Sequence, residues 1–134
     1  MKNLSTAFLA FIALTLAACN GNAQQNNSSS QRNTIEIIQF HAEHRCMTCL
    51  KIEKLTRLTL SNNFKTIPFQ LVNVDDKNNA KITEQFEATG TALFLYNPKT
   101  GKKKDLTEFA FMKASDEKTF EVELKKYIED FLKN

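Results

Sequence analysis

The sequence predicts an α/β fold in which a central mixed β-sheet carries helices on both faces, and three observations lead there. Residues 34–40, "TIEIIQF", are β-branched and nearly continuous in hydrophobicity, as suits a strand buried on both faces. Two later stretches repeat apolar side chains at helical spacing with charges on the opposite side. Strand-like and helix-like segments follow one another in the order strand, helix, strand, helix, strand, strand, helix, the pattern of a sheet whose connections cover its faces.

After the first strand, a helix opens near Cys46. Ile52, Leu55, Leu58, Thr59 and Phe64 share one side of it, while Lys51, Glu53, Lys54 and Arg57 take the other. Residues 69–75, "FQLVNVD", form a second strand. Residues 78–88, "NNAKITEQFEA", form a short helix with Ile82 and Phe86 four apart, and Gly90, after Thr89, stands in the helix-stop position. Residues 91–97, "TALFLYN", are a third strand, and the turn chemistry of "NPKTG" leads into a polar strand over 103–107. Ser115 caps a last helix in which Phe120, Leu124, Tyr127 or Ile128, and Phe131 make one apolar stripe. The expected sheet pairs in parallel through the first two helices and ends in a hairpin.

The N-terminus has a different character. Lys2 precedes the apolar run "AFLAFIALTLAA", which stops at Cys19; a basic start, a short apolar stretch and small residues make a secretory leader. The run is short for a membrane-spanning helix. Leu16, Ala17, Ala18 and Cys19 resemble the lipobox of bacterial lipoproteins, which implies a signal peptide over 1–18 and lipidation of Cys19. Residues 20–33, "NGNAQQNNSSSQRN", contain no aliphatic side chain larger than alanine and form a flexible tether that spans roughly 20 Å. The expected protein is therefore a membrane-anchored lipoprotein, extracytoplasmic and periplasm-facing, with one domain over 34–134.

Composition narrows the function. The net charge is +3, from 18 basic and 15 acidic residues that are interspersed, so no nucleic-acid surface is expected. Eleven phenylalanines and no tryptophan point to a phenylalanine-rich core. Of three cysteines, lipidation takes Cys19 and leaves Cys46 and Cys49 as a pair in a compartment where disulfides persist.

Cys46, Met47, Thr48 and Cys49 form a C-x-x-C motif after a hydrophobic strand and at the opening of a helix. With "QFHAEHRCMTC", "LVNVDD", "QFEATGT" and "LFLYN", this resembles the thioredoxin-like superfamily over nearly the whole mature domain. The resemblance implies a thioredoxin-like fold, a redox-active disulfide in place of any cofactor, and a monomer exchanging electrons with protein thiols and disulfides and a membrane-proximal redox partner. It also implies Cys46 as nucleophile and Cys49 as resolving thiol. A helix N-terminus stabilises a thiolate, with Arg45 and His44 as supporting charges and the Thr48 hydroxyl nearby. The chain departs from thioredoxins where Arg45 replaces a tryptophan, Met47-Thr48 replaces Gly-Pro, Gln39 replaces a buried acid, and Thr91 stands at the place of the proline facing the cysteines.

Two other readings compete. Cys46, Cys49 and His44, with His41 at the strand end, are ligand types suited to Cu(I) or Zn(II) and would make a metal-handling module. Alternatively the cysteine pair is a structural clip in an adaptor that docks through a sheet edge or through "GKKKDL".

Overall fold

The structure, a computed structural model, describes residues 35–133. The leader, Cys19 and the tether lie outside the described residues. Four strands form one sheet in the order β2-β1-β3-β4: β1 is Glu36–His41, β2 Phe69–Asn73, β3 Ala92–Tyr96 and β4 Lys103–Asp105. Four α-helices accompany them, α1 Met47–Asn63, α2 Ala80–Phe86, α3 Thr107–Lys113 and α4 Glu117–Leu132. The α/β class with a mixed sheet is borne out.

Strand periodicity builds the layers. Successive side chains of a strand point to opposite faces. Ile37 of β1 and Leu93 and Leu95 of β3 therefore enter one core with Ile52 and Leu55 of α1, Phe109 of α3, and Phe120, Leu124 and Ile128 of α4. Ile38, Phe40 and Phe94 enter a second core with Phe86 of α2. Helices α1, α3 and α4 thus cover one face and α2 the other. The second core is small but aromatic: the Phe86 ring lies 5.3 Å from Phe40, 5.1 Å from Phe94 and 5.0 Å from Tyr96. Tilted and edge-on pairs of this kind contribute about 0.5–1.5 kcal/mol each beyond burial.

The sheet differs from expectation in one respect. β1 and β2 pair in parallel through α1, but β3 runs antiparallel to β1, with Phe40 opposite Ala92 and Ile38 opposite Phe94. With Phe40 opposite Ala92, β3 starts where β1 stops, and β2, parallel to β1, stops at that same end. The chain therefore re-enters the sheet at the end from which it left. That end is the one where β1 gives way to Cys46, so residue 91 is delivered beside the cysteines.

Three local readings are corrected. α2 ends at Phe86, not at Gly90, because Glu87 takes a left-handed conformation (φ 54°) whose N–H closes back on Thr83 and Glu84. This turn lets both Phe86 and Ala88 bury against the second core. The last helix is capped by Asp116, whose carboxylate accepts from the Thr119 N–H at 3.0 Å, not by Ser115. The polar strand stops at Asp105, and the segment after it forms α3, an element absent from the expected order. The Asp105 carboxylate accepts from Thr107 N–H at 2.8 Å, and Leu106, Phe109 and Ala110 are buried one turn apart. Gly101, at φ 72°, makes the tight turn between β3 and β4, and its N–H reaches the Asn97 carbonyl. Among the described residues, no helix is long and apolar enough to cross a membrane.

Candidate functional site

The site forms where β1 stops and α1 starts. The intervening loop is fixed to the neighbouring strand end: Glu43 N–H donates to Asp75 at 2.7 Å, Asn73 donates to the Glu43 carboxylate at 2.5 Å, and Val74 N–H closes onto the His41 carbonyl. Cys46 then takes the extended conformation of an N-cap (φ −73°, ψ 160°), and its sulfur accepts from Cys49 N–H at 3.1 Å while its carbonyl accepts from Leu50 N–H. A sulfur atom does here what serine or aspartate oxygen does at most helix starts. It lies on the axis end where unpaired N–H groups concentrate partial positive charge.

Cys46 and Cys49 form a disulfide with Cα atoms 5.1 Å apart. The two sulfurs are not equivalent. Cys46 is exposed, whereas Cys49 is 4 % exposed and faces the sheet. An incoming thiolate therefore meets Cys46 first.

Cys49 is held from two sides. Thr91 Oγ1 lies 3.0 Å from its sulfur. In the disulfide, sulfur carries no hydrogen, so the hydroxyl is the donor. From the sheet, the amide nitrogen of Gln39 donates to the Cys49 carbonyl at 2.9 Å. Gln39 is fully buried, and its Oε1 has no hydrogen-bond partner among the described residues. Gln39 thus ties β1 to the first turn of α1 and carries an amide, not a titratable acid, next to Cys49.

Arg45 is engaged in an ion pair. Its Nη2 sits 2.7 Å from Glu53 Oε2 in a close ion pair, and Arg57 Nε donates to the other Glu53 oxygen at 2.8 Å. Burial pushes the Glu53 carboxyl up, but hydrogen bonds from Arg57 and Arg45 and their charges outweigh it, so the group stays below the usual carboxylate range. Arg57 also stacks over the Phe69 ring at 4.7 Å. The trio staples the loop before Cys46 to the second turn of α1 and to β2.

His41 is half-buried at the strand end, with Nδ1 2.9 Å from the Ala42 carbonyl, and His44 is exposed on the loop. Among the described residues, no three His, Cys, Asp or Glu side chains gather in a way that could hold a metal ion. Thr48 sits half-buried in the first turn of α1, on the side facing α3. The structure thus joins Cys46, Cys49 and Thr91, and places Arg45 in a structural ion pair. Sequence reasoning missed Glu53 and the Gln39 bond. The Glu53–Arg57 spacing of four was a visible signal, whereas the Arg45 contact requires the loop geometry.

No family model matches the chain, and neither does any curated protein. A solved structure titled "Structure of a malarial protein" is 22 % identical, over 60 % of this chain and 96 % of that one, with a TM-score of 0.43. A likeness at that level carries no argument about function.

Proposed function

We propose that this chain is a divergent thioredoxin-like thiol–disulfide oxidoreductase, anchored by lipid at Cys19 to the extracytoplasmic side of a membrane and acting on protein dithiols and disulfides. The supporting observation is the asymmetric disulfide: Cys46 exposed at the N-cap of α1, Cys49 buried beneath it against the Thr91 hydroxyl.

In the oxidised protein, a substrate thiolate attacks the Cys46 sulfur. The Cys46–Cys49 bond breaks, a mixed disulfide forms, and Cys49 leaves as a thiolate that the Thr91 hydroxyl can stabilise. A second substrate thiolate then attacks the substrate sulfur of the mixed disulfide and releases Cys46 as a thiolate. The substrate becomes a disulfide and the protein a dithiol, two electrons having passed between them. The reverse sequence reduces a substrate disulfide, with Cys49 attacking the Cys46 sulfur to release substrate. Its dithiol or disulfide partner at the membrane restores the starting state.

The test is trapping. In cells carrying Cys49→Ser, Cys46 should accumulate in mixed disulfides with membrane-proximal proteins, because the thiol that resolves the intermediate is gone. Absence of trapped protein, together with stoichiometric Cu(I) or Zn(II) uptake by the reduced protein that His44→Ala weakens tenfold or more, would replace this reading with the metal-handling one.

A further inference from the structure

One face of α1 is left uncovered next to the exposed sulfur. Met47, Leu50, Lys51 and Lys54 follow the i, i+3, i+4, i+7 rule and form a single stripe, opposite the buried Ile52, Leu55 and Thr59. Its apolar part is exposed well beyond what a helix beside a core requires: Met47 is 81 % and Leu50 42 % exposed. Across from it, α3 presents Phe111, 41 % exposed, and between the two helices runs a groove of 580 Å³ whose floor includes Thr48. Lys51 and Lys54 stand along the groove, and neither forms an ion pair among the described residues.

The stripe is ordered. Apolar side chains lie in the turn beside Cys46 and the two cations lie further along. By helical rise, Leu50 is about 6 Å and Lys54 about 12 Å along the axis from Cys46. An extended peptide advances about 3.3 Å per residue, so a chain joined to the Cys46 sulfur and laid in the groove brings its first flanking side chain to Met47, Leu50 and Phe111. Residues two to four positions from its cysteine come to the lysines. The tether does not suit the groove, since residues 20–33 contain neither an acid nor a large apolar side chain.

We propose that the α1–α3 groove is a substrate-docking surface for an extended polypeptide segment with an apolar residue beside its cysteine and acidic residues two to four positions beyond. The inference rests on the oxidoreductase reading and adds to it the class of protein that is served. Charge complementarity of this kind acts on the encounter, so selectivity resides in the rate of exchange.

The experiment uses reduced protein and three disulfide probes: the small neutral hydroxyethyl disulfide, a cystine peptide with Leu at +1 and Glu at +3 and +4, and its counterpart with Ser at +1 and Lys at +3 and +4. In each reaction the Cys46 thiolate attacks the probe disulfide and one probe thiolate leaves and takes a proton. Cys49 then attacks the Cys46 sulfur and releases the second, so two electrons pass to the probe and the Cys46–Cys49 disulfide forms. The Leu/Glu peptide should react about 10-fold faster than the Ser/Lys peptide, a preference that shrinks as salt screens the pairs. In Lys51→Glu/Lys54→Glu the charge preference should reverse, an outcome that a merely structural role for the lysines would not produce. Equal rates for both peptides, or a preference unchanged by the double substitution, would overturn the docking proposal while the redox reading stands. Failure of all three probes to react would overturn the redox reading itself. Self-association in sedimentation that Phe111→Ser abolishes would assign the groove to a second copy of this chain and overturn the proposal in that way.

Discussion

Replacing Thr91 by valine removes one hydroxyl and keeps the branched shape, so it isolates the 3.0 Å contact to the Cys49 sulfur. When Cys49 is a thiolate, that hydroxyl donates a charge-assisted hydrogen bond, an interaction of about 1.5–3 kcal/mol. Its loss raises the pKa of Cys49 by about 1–2 units at 1.36 kcal/mol per unit. The effect on rate is smaller than the effect on ionisation. Each unit reduces the thiolate fraction near neutral pH about tenfold, but the more basic thiolate is the better nucleophile, with a Brønsted coefficient of about 0.4–0.5. The net slowing is about 3- to 4-fold per unit, or about 3- to 16-fold in all. The assay is stopped-flow reaction of reduced protein with an excess of an aromatic disulfide that releases a coloured thiolate. The first equivalent reports attack by Cys46 and the second reports attack by Cys49 on the mixed disulfide. Thr91→Val should slow only the second phase and move its pH inflection upward, and Thr91→Ser, which keeps the hydroxyl, should stay near the parent. A second phase within twofold of the parent in Thr91→Val, or equal slowing in Thr91→Ser, would refute the assignment.

Two further outcomes follow from the same geometry. In the reduced protein, Cys46 should react with iodoacetamide with an inflection at least one unit below the ordinary thiol value of about 8.5, because its sulfur accepts the Cys49 N–H at the helix start, while Cys49 reacts slowly; an inflection at or above that value contradicts the N-cap argument. Glu53 has a folded-state pKa below its unfolded value, so the stability it contributes is present above about pH 4.3, the unfolded value, and is lost as pH falls through the folded one. Urea unfolding of Glu53→Gln should therefore show a deficit of about 1 kcal/mol at pH 7, as for a partly exposed ion pair, that closes in acid; a deficit independent of pH would show that packing, not charge, is what the substitution removes.

What the sequence disclosed was what local chemistry decides. Residues 36–40 read as a strand because both faces of β1 are buried and both therefore need apolar side chains. The start of α1 was legible because a cysteine at an N-cap is a local event, settled by Cys46, Cys49 and the first turn alone. The direction of β3 was not legible, since its side-chain pattern is the same in either orientation and the path of residues 74–91 between β2 and β3 sets it. α3 escaped notice because seven residues give fewer than two repeats of a helical period, and the unbroken apolar run from Phe109 to Met112 hides which of its side chains are buried. Of the site, the disulfide pair and Thr91 were visible, but the Arg45–Glu53 pair was not, because it depends on a loop whose path is set by Asn73 at the end of β2 and Asp75 in the turn after it. The groove was hidden for the same reason as α3, which forms its far wall.

The short strand β4 has a further consequence. A sheet that ends in an open strand presents unpaired N–H and C=O groups on which a second chain can continue the ladder, the first step toward aggregation. In this molecule that outer strand is only three residues long, Lys103, Lys104 and Asp105, every one exposed. Its lysines are held close to the surface: Lys103 Nζ lies 5.2 Å from the Phe86 ring centre and donates to the Gln85 carbonyl, and Lys104 Nζ lies 5.2 Å from the Tyr127 ring centre. A strand approaching this edge would have to desolvate or displace cations anchored on both faces. Where two copies of this chain meet along this border, the ladder of one sheet is disfavoured from continuing into the other.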